Sequence, residues 1–277
     1  MSREESLFRT SLGSLLRERG KAVEFGDVIL GFASLESTNE VALAQARKGL
    51  PHGSLVLADE QTAGRGRRGR SWLSPPGLGL YLTALVRPPE GVSPAAALLP
   101  LAASVATAEA LREDRPGSSV PARIRWPNDL YVEGRKLSGI LCEGTLTGSR
   151  LEYMAVGVGI NLNQQARDFA SLAHRATSMR LFTGQEQDRT EIAARVVERL
   201  EYWWGRLLTA PGEVPGRWRE LAEGDRGAKV LVERDGARFE ATTAGLADDG
   251  GLQVQLGDGR LLTLHSAELV SLRALET

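Results

Sequence analysis

One cysteine, Cys142, stands among the 277 residues. It excludes an intramolecular disulfide and any Cys-x-x-Cys metal site, fits a reducing compartment, and sits in an apolar run as a small buried hydrophobe. The chain also lacks an excess of either charge: 34 Lys and Arg stand against 35 Asp and Glu, a formal net charge of −1. No global field therefore draws it to nucleic acid or to an anionic membrane. No apolar run reaches the ~20 residues of a membrane-spanning helix, and the N-terminus has no charged-then-apolar signal pattern. Internal repeats and low-complexity tails are missing too. The expectation is a soluble cytoplasmic protein with one large domain and a small one.

Against that neutral background, positive charge gathers in one place. Gly64-Arg65-Gly66-Arg67-Arg68-Gly69-Arg70-Ser71-Trp72 sets four arginines within six residues, interleaves them with three glycines and ends on an aromatic ring. A solvated basic loop or a nucleic-acid patch are the plain alternatives. The glycines favour anion handling, because close backbone approach to a ligand needs positions without a side chain. Trp72 is either a core anchor or a stacking surface for a base.

Residues 1–25 hold one short amphipathic segment, with Leu7, Leu12, Leu15 and Leu16 at near-helical spacing and a stop at Gly20. A helix-turn-helix module needs two packed helices, so no DNA-binding domain is expected there. Asp27 to Leu35 reads as a strand. Ser37-Thr38-Asn39-Glu40 then has capping-box spacing for a helix running to Arg47 and closed by Gly49, and a polar helix N-terminus after a strand is also a place for a ligand. Ser54 to Asp59 is a strand leading through Gln61 into the arginine loop, and Gly79 to Val86 is the next, which makes the loop a long crossing of the kind that is functional or mobile. Pro94 to Arg112 has the all-round apolarity of a buried helix.

Arg123 to Trp126 is a short strand halted by Pro127, with Asn128-Asp129 as a turn signal. Leu130 to Val132 and Leu137 to Glu143 form a hairpin, and Leu151 to Ile160 is a strand whose Gly157 and Gly159 let something approach. Asp188-Arg189-Thr190-Glu191 is a second capping box, opening a helix with a core stripe of Ile192, Val196, Leu200, Trp203 or Trp204, and Leu207; Trp218 and Leu221 anchor a last short helix. After Gly224 six short strands alternate with turns: Lys229–Glu233, Ala237–Ala241, Thr243–Ala247, Leu252–Leu256, Arg260–Thr263 and Glu268–Ser271, with Asp235-Gly236, Asp249-Gly250-Gly251 and Asp258-Gly259 as turns. The organisation expected is 1–25 as a helical segment, 26–223 as the main domain and 224–277 as a small β-barrel. The fold class is α+β.

Four groups thus fall at strand ends or loops of one mixed sheet. Ser37-Thr38-Asn39, the arginine loop ending at Trp72, Trp126-Pro127-Asn128-Asp129-Leu130 with Lys136-Leu137-x-Gly139-Ile140-Leu141-x-Glu143, and Gly157-x-Gly159-Ile160-Asn161, in this order and spacing, resemble the biotin protein ligases. The resemblance runs from about 26 to 272. It implies a mixed-sheet catalytic domain with helices followed by an SH3-like barrel. It also implies ATP-dependent activation of biotin to biotinyl-5′-AMP, then transfer to a lysine of a biotin carboxyl carrier protein of acetyl-CoA carboxylase. Both partners of the first step are anions, so positioning and positive charge carry the chemistry.

Residue by residue, the resemblance assigns Lys136, Arg65 and Arg67 to catalysis. Biotin would be held by Ser37, Thr38, Asn39, Gln61, Gly64, Arg65, Lys136, Gly139 and Gly157. ATP would be held by Arg65, Arg67, Arg68, Trp72, Asn128 and Asn161, with Trp72 on the adenine, and Asp129 would face magnesium. Arg125 stands where the family has Lys before Trp-Pro-Asn-Asp. Without an N-terminal winged helix, a ligase that does not bind DNA is expected; a homodimer is left open. The rivals are a lipoate or octanoate ligase or transferase of the same fold, and a non-catalytic nucleic-acid-binding protein.

Overall fold

The computed structural model describes residues 7–19, 24–89, 97–147, 150–172, 175–234, 236–265 and 268–271. The expected stop at Gly20, the helix start at Pro94 and Asp235 of the first C-terminal turn lie outside them, as does the Leu7 side chain. The central element is a seven-stranded sheet ordered β1-β2-β3-β7-β6-β5-β4. Its strands are β1 (Ile29–Leu35), β2 (Leu55–Gln61), β3 (Gly79–Val86), β4 (Arg123–Arg125), β5 (Asp129–Val132), β6 (Arg135–Thr147) and β7 (Arg150–Asn161). β1 and β2 run parallel, joined through helix α2 (Thr38–Ala46), and every other pairing is antiparallel.

Period-two alternation assigns the two faces of this sheet. Leu80, Leu82, Ala84 and Val86 of β3 point into the main core, together with Val156, Val158 and Ile160 of β7. That face is covered by α1 (Leu7–Glu18), α3 (Leu99–Arg112), α5 (Arg189–Thr209) and α6 (Glu213–Leu221), with Met179 of the short α4 (Met179–Thr183) packed into the same core. The expected stripe of α5 is its buried side, from Ile192 through Trp203 and Trp204 to Leu207. Asp188 caps it by accepting from the N–H groups of Thr190 and Glu191, whereas Glu191 turns away to Arg19 at 2.6 Å. On the opposite face lie Tyr81, Thr83 and Leu85 of β3. Among the described helices only α2, nine residues long, covers it, through Ala42 and Ala46 packed on Val56, Leu85, Tyr153 and Ala155. The rest of that face is left for a cleft.

Beyond Gly224 the chain forms a five-stranded antiparallel sheet ordered β11-β10-β9-β8-β12. Its members are β8 (Arg226–Arg234), β9 (Ala237–Leu246), β10 (Leu252–Gln255), β11 (Leu261–Leu264) and β12 (Glu268–Ser271). Two expected strands, Ala237–Ala241 and Thr243–Ala247, are a single strand. The pairing slips opposite Thr243 and Gly245, where Gly245 has φ +120°, so a bulge bends β9 where the sequence suggested a turn. The C-terminal sheet shares the main core through Val230, Val232, Leu252 and Val254, and the Trp126 Nε1 donates to the Gly250 carbonyl at 3.1 Å.

Candidate active site

The uncovered part of the sheet face carries a cleft of about 470 Å³. Its floor follows from strand register. Tyr81 of β3 pairs with Gly159 of β7, Gly159 with Gly139 of β6, and Gly139 with Asp129 of β5; one row further on, Thr83 pairs with Gly157 and Gly157 with Leu141. Three glycines in two adjacent rows leave a trough where other residues would raise side chains.

Ser37, Thr38, Asn39 and Gln61 line one end of this trough; Arg65, Arg67 and Trp72 line its lid; Asn128, Asp129, Lys136 and Asn161 line the other end. The structure therefore brings the four sequence groups together. Arg68 is the exception among the assigned residues. It does not line the cleft, and its guanidinium donates to the Glu233 carbonyl of β8 at 3.2 Å.

The helix entry differs from the expected capping box. Ser37 occupies the N-cap position with no side-chain cap bond, and Glu40 is drawn instead to Arg65 at 2.8 Å. Gln61 takes over the capping: its Oε1 accepts from the Thr38 backbone N–H at 2.9 Å and lies 3.1 Å from the Thr38 hydroxyl, while its Nε2 donates to Ser74 Oγ at 2.9 Å. Ser37 and Thr38, both buried, are thereby left lining the cleft. Asn39 is locked deeper, donating from Nδ2 to the Leu141 carbonyl at 3.1 Å and to Glu143 Oε2 at 2.8 Å.

The arginine loop is folded on itself. The Trp72 N–H donates to Gly64 O at 2.8 Å and the Gly66 N–H to Arg70 O at 2.7 Å, with a 3₁₀ turn at Arg67–Gly69 and Arg68 at φ +54°. Three of the loop's arginines also reach beyond it. Arg65 pairs with Glu40 on α2 and with Glu143 on β6 at 3.5 Å, Arg67 reaches Asn128 Oδ1 at 3.4 Å, and Arg68 reaches β8. At the far end Lys136 Nζ forms an ion pair with Asp129 Oδ2 at 2.6 Å and stands 5.5 Å above the Trp72 ring.

Gly64, Gly139 and Gly157, the glycines assigned to ligand contact, and their neighbour Gly159 make room for protein atoms here. A Cβ on Gly157 would meet Asn39 Oδ1 at 2.3 Å, one on Gly159 would meet Trp72 Nε1 at 2.6 Å, and one on Gly64 the Trp72 carbonyl at 2.5 Å. Gly139 faces Trp72, Asp129 and Lys136 together, at 3.3 to 3.5 Å. Trp72 is half-buried on this floor, and its Nε1 has no partner. As for a metal, no group of three or more His, Cys, Asp or Glu that could hold one is present among the described residues.

Several lining residues carried no motif. Tyr81 forms the floor with its hydroxyl donating to Pro75 O at 2.9 Å, and burial pushes that phenol well above its ordinary range, so it stays a neutral donor. Phe169, Leu172 and Ala176 supply an apolar wall beyond β7. Cys142, on β6 beside Glu143, is only half-buried rather than buried as expected, and desolvation and then that carboxylate push its thiol up to about 12.

The biotin/lipoate A/B protein ligase family matches residues 31–161. The chain is 36% identical over 232 residues to the biotin--[acetyl-CoA-carboxylase] ligase of Paracoccus denitrificans, covering 82% of this chain and 94% of that one. It is 32% identical over 240 residues to the bifunctional ligase/repressor BirA of Bacillus subtilis (strain 168), covering 85% of this chain and 71% of that one. Among solved structures, the biotin protein ligase from Aquifex aeolicus in complex with biotin and ATP superposes with a TM-score of 0.74 at 28% identity, over 88% of this chain and 99% of that one.

Proposed function

The chain belongs to the biotin/lipoate A/B protein ligase family, on the side of the biotin--[acetyl-CoA-carboxylase] ligases, and from that premise we propose that it is a biotin protein ligase. The observation that carries this reading is the convergence of all four sequence groups on one cleft of about 470 Å³. The carboxylate of biotin attacks the α-phosphorus of ATP, a C–O–P link forms, and the bond to the β-phosphate breaks to release pyrophosphate. A lysine amine of the carrier protein then attacks the carbonyl of the mixed anhydride and releases AMP.

In this reading the head group of biotin lies at the Ser37–Thr38–Gln61 end, where hydroxyl and amide groups pair its buried donors and acceptor. Lys136 bridges the carboxylate and the α-phosphate, and Asp129 holds its ammonium while the pocket is empty. Arg65 and Arg67 offset the repulsion between the two anions, acting as donors fixed before the charge develops. Trp72 roofs the junction, and Asn128 and Asn161 face the nucleotide. Arg68 is kept as a nucleotide contact only through the loop it anchors. Asp129 would hold a magnesium ion accompanying the phosphates, as one of the one or two carboxylates such an ion takes from protein, and the ion would offset phosphate charge. The carrier is a biotin carboxyl carrier domain, and we take 26–223 as the catalytic domain and 224–277 as a small barrel.

No helix among the described residues is long and apolar enough to cross a membrane. The test is calorimetric titration with biotin and with lipoate, each with and without magnesium-ATP, followed by mass analysis of the bound ligand. Biotinyl-5′-AMP should be recovered from the wild type and lost in Lys136→Ala. Binding of lipoate in place of biotin moves the chain to the sister branch of the family.

A further inference from the structure

We propose that Thr83, which no motif marks and which does not line the cleft, is a positioning residue that sets the hydrogen-bond polarity of the head-group end; the proposal rests on the biotin reading above. Thr83 is fully buried in the middle of β3, where Tyr81 carries the one other polar side-chain group. It is the central link of a polar chain that starts and ends on the arginine loop. From Arg65 the chain passes to Glu143, Asn39, Thr83, Thr38, Gln61 and Ser74, and returns through Ser74 Oγ to the Trp72 carbonyl at 3.2 Å.

Proton counting fixes the direction of this chain. Glu143 is a carboxylate and only accepts, so the Asn39 amide nitrogen must face it, with its second hydrogen on the Leu141 carbonyl. Asn39 Oδ1 is then a buried acceptor, 2.7 Å from Thr83 Oγ1, and the single Thr83 proton goes to it. Thr38 Oγ1 lies 2.8 Å from Thr83 Oγ1 and 3.1 Å from Gln61 Oε1. Its one proton goes to one of those two oxygens. Under either choice the Thr38 hydroxyl meets the cleft with lone pairs only, and the site requires an N–H donor from its ligand there. A ureido ring supplies one. With its one proton on Asn39 Oδ1, Thr83 has none left for Thr38 and so couples the Thr38 hydroxyl to the orientation that Glu143 and Leu141 impose on Asn39, without touching the ligand.

The experiment compares Thr83→Val, which keeps shape and removes the hydroxyl, with Thr83→Ser, which keeps the hydroxyl. Biotin affinity, KM for biotin, KM for ATP and kcat are measured on the full chain. Thr83→Val should weaken biotin binding about tenfold or more, with KM for ATP within about twofold of wild type, and Thr83→Ser should return biotin binding to within about threefold. Unchanged biotin affinity in folded Thr83→Val, or an equal rise in both KM values, overturns the proposal. Should Thr83→Val not fold, Thr83→Ala carries the same comparison. If the wild type itself binds no biotin, the functional reading falls separately. The Asn39 side-chain amide resonances then decide: displacement in Thr83→Val but not in Thr83→Ser supports the positioning role, and undisturbed resonances in Thr83→Val refute it.

Discussion

Gly157→Ala isolates one collision. Gly157 has no positive φ, so an alanine is conformationally acceptable there, and the cost comes from the Cβ alone. That atom would stand 2.3 Å from Asn39 Oδ1, 3.0 Å from Cγ and 3.2 Å from Nδ2. Relaxed contacts need about 3.5 Å, so the amide must move by about 1 Å. Its bonds to Thr83 at 2.7 Å and to Glu143 at 2.8 Å do not survive that shift. Overpacking costs ~1–3 kcal/mol and a lost bond to a charged acceptor ~1.5–3 kcal/mol, so we expect about 3 kcal/mol in all. For a chain of this size that corresponds to a Tm lower by about 6–12 °C. The check is a double-mutant cycle by chemical denaturation. In an Asn39→Ala background the obstacle is gone, and Gly157→Ala should be neutral or stabilising by ~0.5 kcal/mol, because alanine restricts the unfolded chain. An interaction energy of about 3 kcal/mol is therefore expected. Additive effects in the two backgrounds would falsify the claim that Gly157 exists to admit Asn39.

Arg68→Gly should leave KM for ATP within about threefold of wild type, since a glycine accepts φ +54° and only the exposed bond to Glu233 O is lost, whereas Arg67→Ala should raise it at least about tenfold; equal effects would return Arg68 to the nucleotide site. Lys136→Met should lower biotin-dependent pyrophosphate exchange by about 100-fold or more while the fold persists, and Lys136→Arg should not restore it, because a planar guanidinium does not replace a compact ammonium between two anions. His52 has its pKa lowered from 6.5, chiefly by burial, with Arg87 also lowering it and Glu24 opposing; its Nδ1 accepts from the Arg87 N–H. Its stabilising contribution is therefore complete above pH 6.5 and lost as pH falls through the lower folded value. Thermal melts from pH 7.5 downward should show this loss, and His52→Asn, which keeps an acceptor, should flatten that part of the profile.

Much of the fold was legible because the signals were local. The stripe on α5 and the Asp188 cap depend on residues within a few turns of each other, and both stand in the structure. The cleft was legible as a set of groups because each sits at a strand end, and adjacent strand ends meet. What the sequence could not supply was competition between distant partners. Ser37 and Glu40 have capping-box spacing, yet Gln61, 23 residues after Thr38, reaches the helix N–H first, and Arg65 claims Glu40. A local rule loses to a tertiary partner when both want the same donor. The self-paired arginine loop is of the same kind, since its ladder from Gly64 to Trp72 depends on glycines admitting backbone to backbone. Tyr81 and Thr83 left a faint signal, two hydroxyl side chains at alternate positions of an apolar strand, on the face opposite Leu80 and Leu82.

A glycine in a strand states that a side chain would collide, and says nothing of the obstacle. Gly157 and Gly159 lie in one motif, two residues apart and on one face, yet the first admits Asn39 and the second Trp72. One of these obstacles is a buried structural amide held by Glu143 and Leu141; the other is the half-buried end of a loop. Ligand contact therefore has to be divided between them by what can move. Asn39 cannot leave without giving up its bonds to the Leu141 carbonyl and to Glu143 Oε2, so Gly157 serves the frame of the site. Trp72 carries an unpartnered Nε1 and no hydrogen bond from its ring, so Gly159 and Gly139 serve the space it shares with the substrates.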